Sequence, residues 1–205
     1  MKNKKKDIYE YRHLQANQTK DNIFTAATEL FNELGFENVT IREICKRAGV
    51  ALGTFYLHFK SKHEILYNVY KKADDIYEHD QISLRNDLDT FAKIIELIRM
   101  QLSMASIFHL KSDAIKQLYI YQLESDNTYF LSEDRKFYKQ LHRIVADAQS
   151  RGEIRQDISS HDICWRILRF SRGLIFDWCI HSGEYNIVDF GMQETAFYLQ
   201  CFKKQ

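Results

Sequence analysis

The sequence predicts an all-α chain, and three observations carry that expectation. Proline is absent and glycine occurs only seven times in 205 residues, so the two residues that most often interrupt helices are scarce. Apolar residues recur three and four apart through nearly the whole chain, the spacing of one helix face. No alternating β-branched run is long enough to read as a strand. Hydrophobic residues make up 45% of the chain, enough to bury a core, and the 28% that are charged mix both signs, which argues against disorder away from the ends.

The first clear helix lies over about 19–34, where Ile23, Ala26, Ala27, Leu30, Phe31 and Leu34 share a face and Gly35 stands where a left-handed terminator belongs. Residues 1–18 read as a mobile or partly helical N-terminal extension. Its Lys2, Lys4, Lys5 and Lys6 form either a basic arm or a solubilising tail. In "NVTIREICKRAG", Thr40 and Glu43 make a capping box and Val39 and Ile44 a hydrophobic staple. That helix ends at Gly49, and a second short one runs over about 52–59. Ser61 and Glu64 make another capping box, opening a long helix to about residue 80 through Ile65, Leu66, Val69, Tyr70, Ala73, Ile76 and Tyr77. No linker composition interrupts it, so the N-terminal unit is expected to be joined rigidly to the remainder of the chain. Further helices are expected at about 88–105, 107–111, 113–124, 132–151, 160–182 and 187–203, with stops at "SDNT", Gly152 and "HSGEYN".

Two short helices joined by a tight glycine turn and braced by an apolar helix make a helix-turn-helix. In that arrangement the second helix enters the DNA major groove. The stretch Ala51–Phe59, "ALGTFYLHF", fits the role because it contains no Glu, Lys or Arg. Phe55 and Phe59, four apart, anchor it inward and leave Thr54, Tyr56 and His58 for phosphates and bases. Leu52 offers the apolar contact a thymine methyl accepts. Taken singly these residues have plainer readings: Tyr56 as a half-buried surface aromatic, His58 as a surface histidine, Arg42 as a solvated helix charge.

The stretch "TIREICKRAGVALGTFYLHFKSKHEIL" resembles the DNA-binding segment of the tetracycline-repressor-like (TetR) regulators. It has the Thr-capped second helix, the A-G-V turn, the G-T-x-Y-x-x-F recognition helix and the K-S-K-x-x-L entry to the next helix. The resemblance covers about residues 19–70. It implies phosphate contacts from Thr40, Thr54, Tyr56, His58 and Lys62, and base-edge readout by Arg42 and around Ala51, Leu52 and Gly53. Many relatives have a polar cap where this chain has Ala51, which removes about 1 kcal/mol of capping and any side-chain phosphate contact there. The domain division expected is residues 1–18 as extension, 19–66 as the DNA-binding unit, and 67–205 as a ligand-binding and dimerisation domain.

The resemblance also implies a ligand pocket and a dimer built from the last two helices. Phe108, Tyr119, Phe137 and Trp165 are the candidate pocket aromatics, with Gln122 and Arg169 as polar orienters for a small hydrophobic or aromatic effector. Gly173, Phe176, Ile180, Phe197, Leu199 and Phe202 are the candidate dimer residues; each has packing inside one subunit as its alternative. A homodimer is expected independently, because one short recognition helix reads too few bases, whereas two about 34–36 Å apart read two half-sites of a near-palindromic operator.

Beyond residue 80 no phosphate loop, metal-binding helix motif or nucleophile elbow occurs, so no enzyme, cofactor or metal site is expected. His109, His142, His161 and His181 lack ligand spacing, and Cys45, Cys164, Cys179 and Cys201 form no C-x-x-C pair, as reduced thiols would not need to. The basic start lacks an apolar core and no run approaches a membrane span, so a cytoplasmic protein is expected. Residues 1–62 carry eleven Lys and Arg against seven Asp and Glu, a net +4 in a chain of net +1, which points the N-terminal end towards an anionic partner. The sequence thus reads as a DNA-binding transcriptional regulator, expected to be a repressor released by a small ligand. Two alternatives stand beside it: a ligand-independent regulator, and a helical protein-interaction module whose helix-turn-helix is architectural.

Overall fold

Side-chain caps open helices at Thr40, Ser61, Asp89, Ser159 and Asn186. In the computed structural model, which describes residues 2–125 and 128–204 with side chains from Leu14 onward, the helices are α1 (Lys2–Leu34), α2 (Ile41–Ala48), α3 (Leu52–His58), α4 (Lys62–Asp80), α5 (Thr90–Ile107), α6 (Ser112–Glu124), α7 (Lys136–Ser150), α8 (Ser160–Ile180) and α9 (Ile187–Tyr198). Short 3-10 turns occupy Ile82–Leu84, Tyr129–Leu131 and Leu199–Phe202. No strand occurs among the described residues; a single antiparallel bridge joins Ile154 and Lys203.

Thr40 and Glu43 close the box that opens α2: Glu43 N–H donates to Thr40 Oγ1 at 3.3 Å and Thr40 N–H to Glu43 Oε2 at 2.7 Å. Ser61 accepts from Glu64 N–H at 3.2 Å, while Glu64 reaches back to Lys60 N–H at 2.6 Å. Helix α1 runs from Lys2 to Leu34, so the stretch 2–18, expected as a mobile or partly helical extension, is helical. The expectation that Lys2, Lys4, Lys5 and Lys6 form an arm or a tail concerns side chains outside the described residues.

Helices α1–α3 pack around Ile23, Ala27, Phe31, Ile44, Phe55 and Phe59, all buried. Helix α4 leaves this unit and runs into the second, where it packs on α5, α6 and α7, and where α8 and α9 complete the layer over α5, α6 and α7. At the crossing a buried pair joins α4 to the start of α7: Arg135 Nη2 lies 3.3 Å from Asp74 Oδ1, and the Tyr129 hydroxyl also donates to Asp74. Taking either partner away would leave an uncompensated buried charge at the junction of α4 and α7.

Two expected helices are corrected. Residues 107–111 form a turn: Phe108 N–H returns to Met104 O at 3.0 Å, His109 is left-handed at φ 52°, and Leu110 N–H bonds Ala105 O at 2.7 Å. The buried Leu110 side chain sets that reversal. The helix expected from 132 starts at Lys136, because Arg135 turns inward to Asp74 in an extended backbone conformation, φ −60° and ψ 137°.

The turn after α7 is tied down by Glu153, which accepts from Thr90 Oγ1 at 2.5 Å and Arg151 Nε at 2.6 Å. Hydrogen bonds from Arg151 and Thr90 hold its carboxyl at about 2, below an ordinary value of 4.5. A depressed folded-state pKa gives stability that is complete above the unfolded value and disappears as pH falls through the folded one. Wild type should therefore melt about 1–3 °C above Glu153→Gln at neutral pH. That difference should close between about pH 4.5 and about pH 2 in a pH series of thermal melts.

Candidate nucleic-acid interface

The N-terminal unit presents α3 through a turn that only a few backbone conformations can make. Gly49 sits at φ 66°, a left-handed geometry that favours glycine, and two successive N–H groups cap α2: Gly49 to Lys46 O at 3.4 Å and Val50 to Cys45 O at 3.0 Å. Ala51, the N-cap of α3, makes no side-chain cap. Phe55 and Phe59 are buried with ring centres 6.0 Å apart and clamp α3 to the unit. The opposite side is open: Leu52 and Tyr56 are exposed, Gly53 is exposed, and Thr54 and His58 are half-buried.

Leu57, at 84% exposure, is the most open apolar side chain of α3 and lies outside the set of candidates read from sequence. A wheel count finds it, since a residue two positions from both Phe55 and Phe59 lies about 200° from each. Thr40 and Arg42 are exposed at the start of α2, and Arg42 forms no ion pair among the described residues. By contrast Arg47 is bound to Glu33 at 2.7 Å and faces Glu29 at 3.5 Å, both on α1. His58 has its pKa lowered by burial and by Lys20, so it presents a neutral imidazole at pH 7.

Lys62 is a correction. Its ammonium donates to Phe36 O at 2.8 Å and to Glu37 O and Val39 O at 3.2 Å, and lies 4.4 Å from the Phe36 ring centre. A lysine has three donors, and these contacts use them all. It fastens the turn after α1 instead of standing free for a phosphate.

The second unit does not gather the six pocket candidates. Phe108 packs edge-on against Phe24 of α1 with ring centres 5.9 Å apart. Phe137 is buried against Tyr77, Trp165 leans on Tyr138 and donates to His161 Nε2 at 3.1 Å, and Arg169 is exposed. Only Tyr119 and Gln122 share a cleft, about 500 Å³ in volume, with Phe130 and Arg172. The interior between α4, α5, α6 and α8 is nearly filled: a cavity of about 30 Å³ beside Tyr70, Gln101, Arg135 and Trp178 has room for roughly one or two waters. Gln101 Oε1 is buried there without a hydrogen-bond partner among the described residues. A wider cleft of about 900 Å³ opens where α5 and α8 end and α6 and α9 begin, between Lys111, Lys116, Trp178 and Tyr185.

The dimer candidates divide. Gly173 is exposed with nothing within 4 Å of a built Cβ, and Phe176, Ile180 and Phe197 are 58%, 63% and 79% exposed. Leu199 and Phe202 are buried inside the chain, which corrects their assignment: the final 3-10 turn folds back so that Phe202 O accepts from Arg155 N–H at 3.0 Å. Two contacts join the N-terminal unit to α6. Asp113 Oδ2 accepts from Phe36 N–H at 3.1 Å, and the His63 and Tyr121 rings stack at 5.5 Å and 17°.

Among the described residues no group of His, Cys, Asp and Glu could hold a metal ion, and no helix is long and apolar enough to cross a membrane. Residues 23–69 match the family model of bacterial regulatory proteins, tetR family. An HTH-type transcriptional regulator of Staphylococcus aureus (strain USA300) is 27% identical over 132 residues, 64% of this chain and 68% of that protein. The transcriptional regulator FadR from Bacillus subtilis in complex with stearoyl-CoA superposes at TM-score 0.63 with 22% identity, over 87% of this chain and 96% of that one. The SmeT-triclosan complex superposes at 0.58 with 19% identity, over 92% and 93%.

Replacing the Lys62 fastening tests its role directly. Lys62→Met should cost about 1–3 kcal/mol in urea unfolding, from the carbonyls it leaves without a donor. The slope of log affinity for DNA against log salt should stay at the wild-type value, whereas a phosphate-contacting lysine would lower it by about one.

Proposed function

The chain belongs to the tetR family of bacterial regulatory proteins, and from that membership we propose that it is a cytoplasmic repressor that binds a near-palindromic operator as a homodimer and is released by a small ligand. The observation that carries the DNA-binding reading is the outward face of α3. It exposes Leu52, Gly53, Tyr56 and Leu57 without an acidic or basic side chain, while Phe55 and Phe59 hold the helix rigidly from behind. Compact uncharged groups can approach base edges closely, and the Tyr56 hydroxyl and Thr54 can donate to phosphates. Arg42, exposed and outside any ion pair among the described residues, supplies the bidentate donor that guanine accepts best. Thr40, Ala51, Gly53 and His58 complete the proposed contact surface.

Phe176, Ile180 and Phe197 support the dimer, because exposed aromatic and aliphatic groups of that size on the last two long helices mark an interaction surface. The interface would set the spacing of the two α3 helices, and with it the half-site separation. Ligand control would act through α4 and through the contacts of Asp113 and Tyr121 with the N-terminal unit. A ligand reversing operator occupancy from 99:1 to 1:99 must discriminate between the two dimer shapes by about 5.5 kcal/mol. Structural neighbours bound to stearoyl-CoA and triclosan support an effector for this chain. The nearly filled interior favours a second reading, a regulator that needs no effector; operator affinity unmoved by any ligand that binds the protein would establish it.

Selection from a random double-stranded library should yield a near-palindrome preferred at physiological salt. Binding that is sequence-blind and steeply salt-dependent would overturn the reading. On the selected site Arg42→Ala should cost about 1–3 kcal/mol and relax the preference at particular positions. Phe176→Asp with Phe197→Asp should sediment as a folded monomer and lose the palindromic preference, retaining only half-site affinity.

A further inference from the structure

The cleft between the end of α6 and the middle of α8 holds an arginine with no carboxylate beside it among the described residues. Arg172 is half-buried, its guanidinium carbon 5.9 Å from the Phe130 ring centre and 5.7 Å from that of Trp165. It donates through Nη2 to the Phe130 carbonyl. That contact uses one of five N–H donors. No carboxylate among the described residues lies within ion-pair distance, whereas Arg135, which is also nearby, is matched by Asp74. Desolvation disfavours the Arg172 charge, and Arg135 and Arg169 add like-charge repulsion. Leaving a guanidinium so placed is costly unless something compensates it.

The other walls of the cleft indicate what that compensating group would be. Leu123 and Leu131, 85% and 61% exposed, stand on its walls and give it an apolar track continuous with Phe130. Ser125 Oγ borders it, buried and without a hydrogen-bond partner among the described residues. A volume of about 500 Å³ lies within the range of small-molecule sites. One planar cation at the inner end and leucines towards solvent match a ligand with a planar anionic head and an aliphatic tail. A carboxylate fits the guanidinium fork by two parallel hydrogen bonds.

We propose that this cleft binds an amphipathic carboxylate, its head on the Arg172 guanidinium and its chain along Phe130, Leu123 and Leu131. The inference deepens the effector reading above and rests on it for its regulatory meaning, but its test reads binding alone. Isothermal titration of the full-length protein with decanoate should give saturable binding. Decanol and decyltrimethylammonium, with the same chain and no anion, should bind roughly ten- to hundredfold more weakly. Arg172→Gln should lose decanoate binding by the same factor, while Arg169→Gln, which changes a neighbouring exposed arginine, should not. Because Arg172 also braces Phe130, Leu123→Glu provides a variant at an exposed position; it should fold normally and repel decanoate. Equal binding of decanoate and decanol, undiminished binding by Arg172→Gln and Leu123→Glu, or no saturable binding would each overturn the proposal. Decanoate that binds in this pattern yet leaves operator affinity unchanged would sustain the site and remove its role in release.

Discussion

Helix α4 is the constraint on which the rest of the molecule depends, because one uninterrupted helix is buried in both units. Ile65 and Leu66 near its start and Val69, Ala73 and Tyr77 further along are all buried in one continuous apolar core, and Val69, Ala73 and Tyr77 face the cavity shared with α5, α6 and α8. An α-helix does not bend freely without a proline, a glycine pair or a bulge, and neither of the first two occurs between Lys62 and Asp80. A shift of the second unit that moves α4 would therefore be carried towards α3 as a movement of the whole rod. The Asp74–Arg135 pair ties the start of α7 to the middle of that rod.

The two ends of the rod are secured differently. At the N-terminal end polar contacts add to the burial of Ile65 and Leu66: Lys62 holds the carbonyls after α1, and Asp113 of α6 holds the N–H of Phe36 in the same turn. At the other end burial dominates, with Tyr77 inside the core and Gln140 donating to its carbonyl. The turn at Phe36 thus receives restraints from α4 and from α6 together. Motion of α6, which also forms one wall of the Arg172 cleft, would reach the DNA-binding unit without passing through α4 alone.

The candidate interface divides into positions that periodicity reaches and positions that it does not. A spacing of four marks Phe55 and Phe59 as anchors, and both are buried. The same wheel places Leu57 opposite them, but an apolar residue on an outward face carries no polar signal to draw attention to it. Likeness to a motif assigns Lys62 to a phosphate, and the motif does not encode which carbonyls lie within reach of the amine. The pocket candidates scatter for a related reason. Phe108, Phe137 and Trp165 are aromatics at helical spacing, and such residues fill whichever interface their helix happens to meet.

By itself the sequence determined the helical class, the capping box at Thr40 and the N-cap at Ser61, the glycine turn and the inward face of α3, since each depends on residues within one or two turns of one another. At Ser61 the reciprocal half of the expected box falls on Lys60 N–H instead. It also determined the resemblance that carries the DNA-binding reading. Only the tertiary structure decided that Arg135 turns inward and delays α7, that Leu199 and Phe202 belong to the core, that Lys62 is occupied, and that Arg172 faces a cleft with no carboxylate beside it among the described residues. Those outcomes depend on groups brought together from distant parts of the chain, such as Asp74 with Arg135 or Arg155 with Phe202. Local patterning reports which face of a helix is buried; it does not report which neighbour buries it.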